Sequence, residues 1–113
     1  MQSGRVKRSA IVIGSGPNGL AAAITLAQAG VDVEVREAAP IAGGAARSGE
    51  LTLPGFLHDL GSAVYPMGVS SPFFSSLPLE KHGLDWIRSP APLAHPLDDG
   101  TAVILERDIA ATA

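Results

Sequence analysis

The chain has 113 residues, 46% of them apolar and 17% charged, so it has room for one domain and is too apolar for a disordered segment. A net charge of -3, with eight Lys and Arg residues, excludes an extended basic surface for nucleic acid or anionic lipid. The sequence has no cysteine and its three histidines lack metal-ligand spacing, which excludes disulfides and thiolate metal sites and leaves any redox chemistry to a bound cofactor.

The N-terminus imitates a secretory signal. Three basic residues within 1–8 precede an uncharged stretch, and Ala27-Gln28-Ala29 resembles a cleavage site. The apolar run before Gly14 has only four residues, however, and is too short for a signal core of about 7–15 residues. We therefore expect residues 1–8 to form a flexible arm, with no transmembrane segment and a cytoplasmic location.

The next stretch predicts a strand, a turn, a helix and a second strand. Residues 10–13 are apolar and lead into the turn Gly14-Ser15-Gly16-Pro17-Asn18-Gly19. The fixed φ of Pro17 suits the first position of a helix, and Gly30 is expected to end it. Residues 31–36 predict a strand with alternating polar and apolar residues, so that one face is either partly polar or covered by a segment that is absent here. The apolar face of the helix is predicted to contain Leu20, Ala23, Ile24 and Ala27.

This order is typical of a dinucleotide-binding fold. In such a turn Gly14 allows the tight bend, Gly16 lets a pyrophosphate approach the backbone, and Gly19 lets helix and strand pack closely. Glycine-rich turns also occur for purely structural reasons, but the flanking strands and helix favour phosphate binding at the helix N-terminus.

An acid at the end of the second strand completes the pattern. Glu37 lies about 20 residues beyond the turn, where an acid that binds ribose hydroxyls is expected. Glu34 is the rival if the register differs by a few residues. Arg36 would suit a 2′-phosphate, although a solvated neighbour of the acid is the more common role. Residues 42–46 form a second loop of small residues, whose backbone is accessible to a ligand.

Shorter elements are predicted for the rest of the chain. They are two strands within 50–61 around Pro54-Gly55, a short helix at 72–77, a helical turn at 79–82 ended by Gly83, a strand at 84–87, a hairpin of 93–97 and 101–105, and a helix capped by Asp108. His58 and Asp59 are more often local hydrogen-bonding residues than parts of a site. Three aromatic residues could line an apolar pocket but are more often core anchors, namely Phe73, Phe74 and Trp86.

Four segments together carry a family resemblance: Ile11 to Leu20, Glu37, Gly43-Gly44 and Pro54 to Gly61. They resemble the start of FAD-dependent oxidoreductases of the phytoene desaturase and amine oxidase type, and most of all the phytoene dehydrogenase-related branch. The resemblance covers nearly all of the chain. It implies a Rossmann-like α/β segment that binds FAD, and hydride transfer from a carbon centre of a small apolar substrate to the flavin N5.

The resemblance also implies roles for individual residues. The turn, with Gly14, Gly16, Pro17, Asn18 and Gly19, would hold the FAD pyrophosphate. In the same way Glu37 would hold the adenosine ribose, and Gly43 and Gly44 would pass beside the pyrophosphate. Many relatives have arginine directly after Gly-Gly, whereas this chain has two alanines there, so Arg47 is the candidate to replace it. No catalytic residue and no metal ligand is assigned.

These inferences give one domain plan. Residues 9–62 are expected to form the FAD-binding βαβ unit and Gly-Gly loop, and residues 63–113 the start of an incomplete substrate domain. The chain is expected to be truncated and inactive alone, as part of a flavin oxidoreductase. Two alternatives stay open: an NAD(P)-binding domain of a dehydrogenase, and a non-catalytic fragment. Substrate, electron acceptor and oligomeric state are not predicted.

Overall fold

A computed structural model describes residues 8–112, so nearly all of the predicted arm at 1–8 lies outside the described residues. The first elements are strand β1 (Ser9–Ile13), helix α1 (Pro17–Gln28) and strand β2 (Asp32–Arg36). Strands β1 and β2 are parallel, with Ser9 opposite Asp32 and Ile13 opposite Arg36. The predicted βαβ unit is confirmed.

Helix α1 begins and ends where its sequence predicts. Pro17 is its first residue, and Gly30 adopts a φ of +77° while its N–H donates to the Ala27 carbonyl oxygen at 2.9 Å. The left-handed conformation that ends the helix strongly favours glycine.

The buried face of α1 differs in part from the prediction. Ala23 is buried and Ile24 is half-buried, but Leu20 and Ala27 are exposed, and Leu26 is half-buried instead. The reason is the close approach at Gly19, where an added Cβ would lie 2.1 Å from the Gly14 carbonyl oxygen. The face that meets the sheet therefore follows positions 19, 23 and 26, which are neighbours on a helix surface.

The two-stranded sheet has one covered face. Opposite residues of parallel strands share a face, and α1 covers the face with Val12 and Val33. The other face carries Ile11 and Ile13, which are 55% and 78% exposed, beside Glu34 of β2. The face away from α1 is thus partly polar, which is one of the two alternatives that the alternation in β2 predicts.

A hairpin and two short helices follow within the same compact unit, which reaches Ser76. Strands β3 (Ser48–Glu50) and β4 (Leu57–Asp59) are antiparallel and flank Pro54-Gly55, as predicted, although β3 begins two residues before the predicted segment. The hydrogen bond from the Leu60 N–H to the Arg47 carbonyl oxygen extends the pairing at that end. Helix α2 (Pro66–Ser70) was not predicted, and helix α3 (Pro72–Ser75) confirms the predicted helix but ends two residues early.

A second compact unit begins at Leu77. A 3-10 turn at Leu79–His82 ends at Gly83, and strands β5 (Leu93–Pro96) and β6 (Ala102–Leu105) form the predicted hairpin. Asp108 precedes helix α4 (Ile109–Thr112), and its Oδ1 accepts from the Ala110 N–H at 2.9 Å, as a capping residue does. The predicted strand at 84–87 is wrong, because β5 and β6 pair with each other and no segment within 8–112 pairs with residues 84–87.

Candidate dinucleotide-binding site

The glycine-rich turn joins the carboxyl end of β1 to α1. Gly14 has a φ of +92°, and its N–H donates to the Arg36 carbonyl oxygen at 2.7 Å. An added Cβ at Gly14 would meet nothing within 4 Å, so the backbone conformation, and not lack of space, requires glycine here. The turn thereby fixes the start of α1 directly beside the end of β2.

The N-terminus of α1 has no capping side chain. Gly16 occupies the capping position with extended backbone, and no side chain within residues 8–112 accepts from the first N–H groups. Unpartnered N–H groups and the positive end of the helix dipole favour an anion. Pro17 and Asn18 lie in this first turn and are exposed. All the turn residues that the sequence predicts to hold a phosphate therefore lie around the N-terminus of α1.

The Gly-Gly loop lies against this turn. An added Cβ at Gly44 would lie 2.9 Å from the Gly16 Cα, and the Gly44 φ is +57°. The Gly43 N–H donates to the Ser15 carbonyl oxygen at 3.0 Å. At Gly16 an added Cβ would meet only the Gly44 Cα, at 3.8 Å. The two loops are thus in backbone contact, and glycine at these positions leaves the backbone accessible to a phosphate group.

Glu37 is held beside the same turn. Its Oε2 accepts from the Ser15 N–H and from the Ser15 hydroxyl, both at 2.7 Å, and its Oε1 accepts from the Ala39 N–H at 2.9 Å. These hydrogen bonds, with the Ala39 N–H first and the Ser15 hydroxyl second, lower the pKa of Glu37 from 4.5 to about 2. The carboxylate is therefore ionised and fixed in place at neutral pH.

Glu34 and Arg36 occupy a different position. They lie two residues apart on the face of β2 opposite α1, and the Arg36 Nε donates to the Glu34 Oε1 at 2.8 Å. Both side chains are exposed, and such a pair stabilises a fold only slightly. The structure brings Glu37 to the glycine-rich turn and does not bring Glu34 there.

Arg47 lies behind the Gly-Gly loop. The chain forms a 3-10 turn at Gly44–Ala46, and the Nε of the half-buried Arg47 donates back to the Gly44 carbonyl oxygen at 2.8 Å. An added Cβ at Gly43 would lie 2.9 Å from the Arg47 Cγ. The described contacts of Arg47 therefore support the loop, and its remaining guanidinium nitrogens are the groups that could meet an anion.

Sequence reasoning missed Ser15. It is 3% exposed, and its N–H, hydroxyl and carbonyl oxygen bond to both Glu37 and Gly43. The signal present in the sequence was a hydroxyl residue between two glycines of the turn. Ser15 is thus the residue that links the turn, the acid and the Gly-Gly loop.

The other candidate residues make local contacts. The His58 Nε2 lies 2.8 Å from the Thr52 Oγ1, and the Asp59 Oδ1 accepts from the Ser48 hydroxyl at 3.1 Å. Phe73 and Phe74 form an edge-to-face pair with ring centroids 5.3 Å apart. Residues 8–112 contain no group of three potential metal ligands. Within that range no helix has the length and apolar character needed to cross a membrane.

Comparison with known proteins assigns the fold to a family. Residues 12–77 match the family of NAD(P)-binding Rossmann-like domains, and this range contains the turn, Glu37 and the Gly-Gly loop. The chain belongs to the NAD(P)-binding Rossmann-like domain family. No solved structure matches the chain.

Two curated relatives of this Rossmann-like chain are named as oxidoreductases. The chain is similar to pyridine nucleotide-disulfide oxidoreductase domain-containing protein 2 of Rattus norvegicus, with 39% identity over 94 residues, and of Mus musculus, with 38% identity over 111 residues. The matched parts are 81% and 95% of this chain, but only 16% and 19% of the two relatives. The chain therefore spans less than a fifth of their length.

Proposed function

We propose that the chain is the FAD-binding segment of a flavin-dependent oxidoreductase of the phytoene dehydrogenase-related type. The single observation that carries the proposal is the contact between the Gly-Gly loop and the glycine-rich turn, with the Glu37 carboxylate at the same place. A dinucleotide-binding fold is shared by NAD and FAD proteins, whereas a Gly-Gly loop after the acid belongs to the flavin pattern that the sequence resembles.

The residues present fit the adenosine diphosphate half of this cofactor. The uncapped N-terminus of α1 and the open backbone at Gly14 and Gly16 suit the pyrophosphate. Glu37 is an ionised acceptor for a ribose hydroxyl. Gly43 and Gly44 would pass along the pyrophosphate, and Arg47 would supply positive charge from behind the loop.

The chemistry of the proposed enzyme comes from the cofactor. When bound, FAD supplies the acceptor for a hydride taken from a carbon centre of a small apolar substrate. The described residues bind and orient the nucleotide end, and none of them is proposed to act as a catalytic acid or base. The division at residues 9–62 and 63–113 into a cofactor segment and the start of a substrate domain, and the cytoplasmic location, stay predictions.

An NAD(P)-binding domain of a dehydrogenase is the second candidate. The family description favours it, because the matched family is named for NAD(P). Among these cofactors NADP fits least well, since its 2′-phosphate would meet the Glu37 carboxylate, and Arg36 is engaged by Glu34.

Purification of the full-length protein distinguishes these candidates. We expect a yellow protein that releases a compound chromatographing as FAD. A colourless protein that takes up no FAD but binds NADH tightly would contradict the proposal.

A pair of variants tests the assigned acid. We expect Glu37→Ala to weaken FAD binding by about tenfold or more, because a charged hydrogen-bond acceptor is lost from the site. Glu34→Ala is the matched control, since it removes an acid of the same strand from the opposite face, and it should leave the affinity unchanged. If flavin titration of the two apoproteins shows an equal loss of FAD affinity, the assignment of Glu37 is wrong.

A further inference from the structure

Ser15 occupies an unusual position between the three cofactor-binding segments. It is the one buried polar residue within 8–112, and all three of its polar groups are used. The N–H and hydroxyl donate to one carboxylate oxygen of Glu37, and the carbonyl oxygen accepts from the Gly43 N–H. The hydrogen bond to Glu37 joins residues 22 positions apart, so it holds separate segments of the chain together.

The hydroxyl has a role that the backbone alone does not fill. Every residue except proline would keep the N–H and carbonyl groups at position 15. The serine hydroxyl adds a second donor to the Glu37 Oε2, which the backbone does not provide. A carboxylate oxygen accepts about two hydrogen bonds, so Ser15 fills Oε2. The Ala39 N–H takes one place on Oε1 and leaves the other for a further donor.

We propose that Ser15 is a positioning residue for the nucleotide: its hydroxyl fixes the Glu37 carboxylate so that Oε1 is presented to a ribose hydroxyl. The inference rests on the proposed role of Glu37. Ser15 does not touch the ribose in this arrangement and acts only through the acid. The same residue also holds the Gly-Gly loop on the turn through its carbonyl oxygen, a contact that side-chain substitution leaves in place.

A double-mutant cycle in the full-length protein tests this role. FAD affinity is measured by flavin titration for the wild type, Ser15→Ala, Glu37→Ala and the double variant. Ser15→Ala removes one oxygen atom and introduces no clash, so we expect it to fold and to bind FAD about 3–10-fold more weakly. In the Glu37→Ala background the same substitution is expected to have no further effect, because Ser15 acts through the acid.

The pH dependence of binding supplies a second readout. The Ser15 hydroxyl is one of the groups that keep the Glu37 pKa low. We therefore expect FAD affinity of Ser15→Ala to be lost at a higher pH on acidification than that of the wild type. A residue that only fills space would not move this midpoint. Ser48→Ala is the matched control, since it removes a serine hydroxyl from another carboxylate, that of Asp59, and should change neither affinity nor midpoint.

The outcomes separate the inference from the function on which it rests. If Ser15→Ala lowers FAD affinity by the same factor in the wild type and in Glu37→Ala, or leaves the pH midpoint unchanged, the role of Ser15 is overturned and the role of Glu37 stands. Unchanged FAD affinity in Glu37→Ala would overturn the assignment of the acid and the role of Ser15 with it. If the protein takes up NADH and no FAD, the proposed cofactor is wrong, and the same cycle measured with NADH decides the role of Ser15.

Discussion

Substitution of Gly44 by alanine tests whether the contact between the Gly-Gly loop and the turn is tight. A Cβ at this position would lie 2.9 Å from the Gly16 Cα, which is backbone and cannot rotate away. The φ of +57° is also in the left-handed region. The left-handed conformation costs about 1–2 kcal/mol for a residue with a side chain, and overpacking typically costs about 1–3 kcal/mol. Gly44→Ala is therefore expected to lower the free energy of unfolding by about 2–5 kcal/mol.

Gly55→Ala separates these two contributions. Gly55 lies in the same compact unit with a φ of +86°, but an added Cβ there would meet nothing within 4 Å. Gly55→Ala should therefore lower the free energy of unfolding only by the cost of the left-handed conformation, about 1–2 kcal/mol. Both variants of the full-length protein would be unfolded in urea and followed by circular dichroism. Flavin titration should show weaker FAD binding for Gly44→Ala alone, because the loop must move off the turn. Equal destabilisation of the two variants would refute the close contact.

Three further outcomes are expected. Gly19→Ala should lower the free energy of unfolding measured in urea. The added Cβ would lie 2.1 Å from the Gly14 carbonyl oxygen, and this overpacking outweighs the gain of about 1 kcal/mol in helix propensity. A net stabilisation would argue against this helix-to-strand contact. The Glu37 pKa is lowered on folding, so the stability that its carboxylate contributes is present above pH 4.5 and is lost as pH falls toward about 2. Glu37→Gln should remove this pH-dependent contribution. Parallel curves of unfolding free energy against pH for the two proteins would contradict it. Residues 1–113 alone should self-associate and should bind FAD with a dissociation constant weaker than micromolar, because Ala23 and Ser15 are the only buried residues within 8–112. Light scattering would report the association, and titration the affinity. A monomer that binds FAD tightly would count against this.

The βαβ unit could be predicted because local signals agree with each other. Pro17 and Gly30 mark the ends of α1, and the alternating residues of β2 anticipate its two different faces. The turn signals at Gly83 and Asp108 were equally informative, since a left-handed glycine and a side-chain cap are determined by neighbours in sequence.

The remaining details depend on contacts between distant segments. The buried stripe of α1 follows the close approach at Gly19, which the pattern of apolar residues does not reveal. Residues 84–87 have strand-like composition, but a strand requires a pairing partner, which periodicity cannot supply. Ser15 was overlooked because its importance comes from Glu37, 22 positions away.

The hydrogen bond from the Gly14 N–H to the Arg36 carbonyl oxygen makes the geometry of the candidate site dependent on strand register. A slip of β2 by one residue along β1 would exchange the two faces of the strand and carry Glu37 away from Ser15. A nucleotide that binds only the correctly paired form would then stabilise that form by mass action. Cofactor binding would in this way select one alignment of the parallel strands, and slower hydrogen exchange of the Gly14 amide in the loaded protein would report the selection.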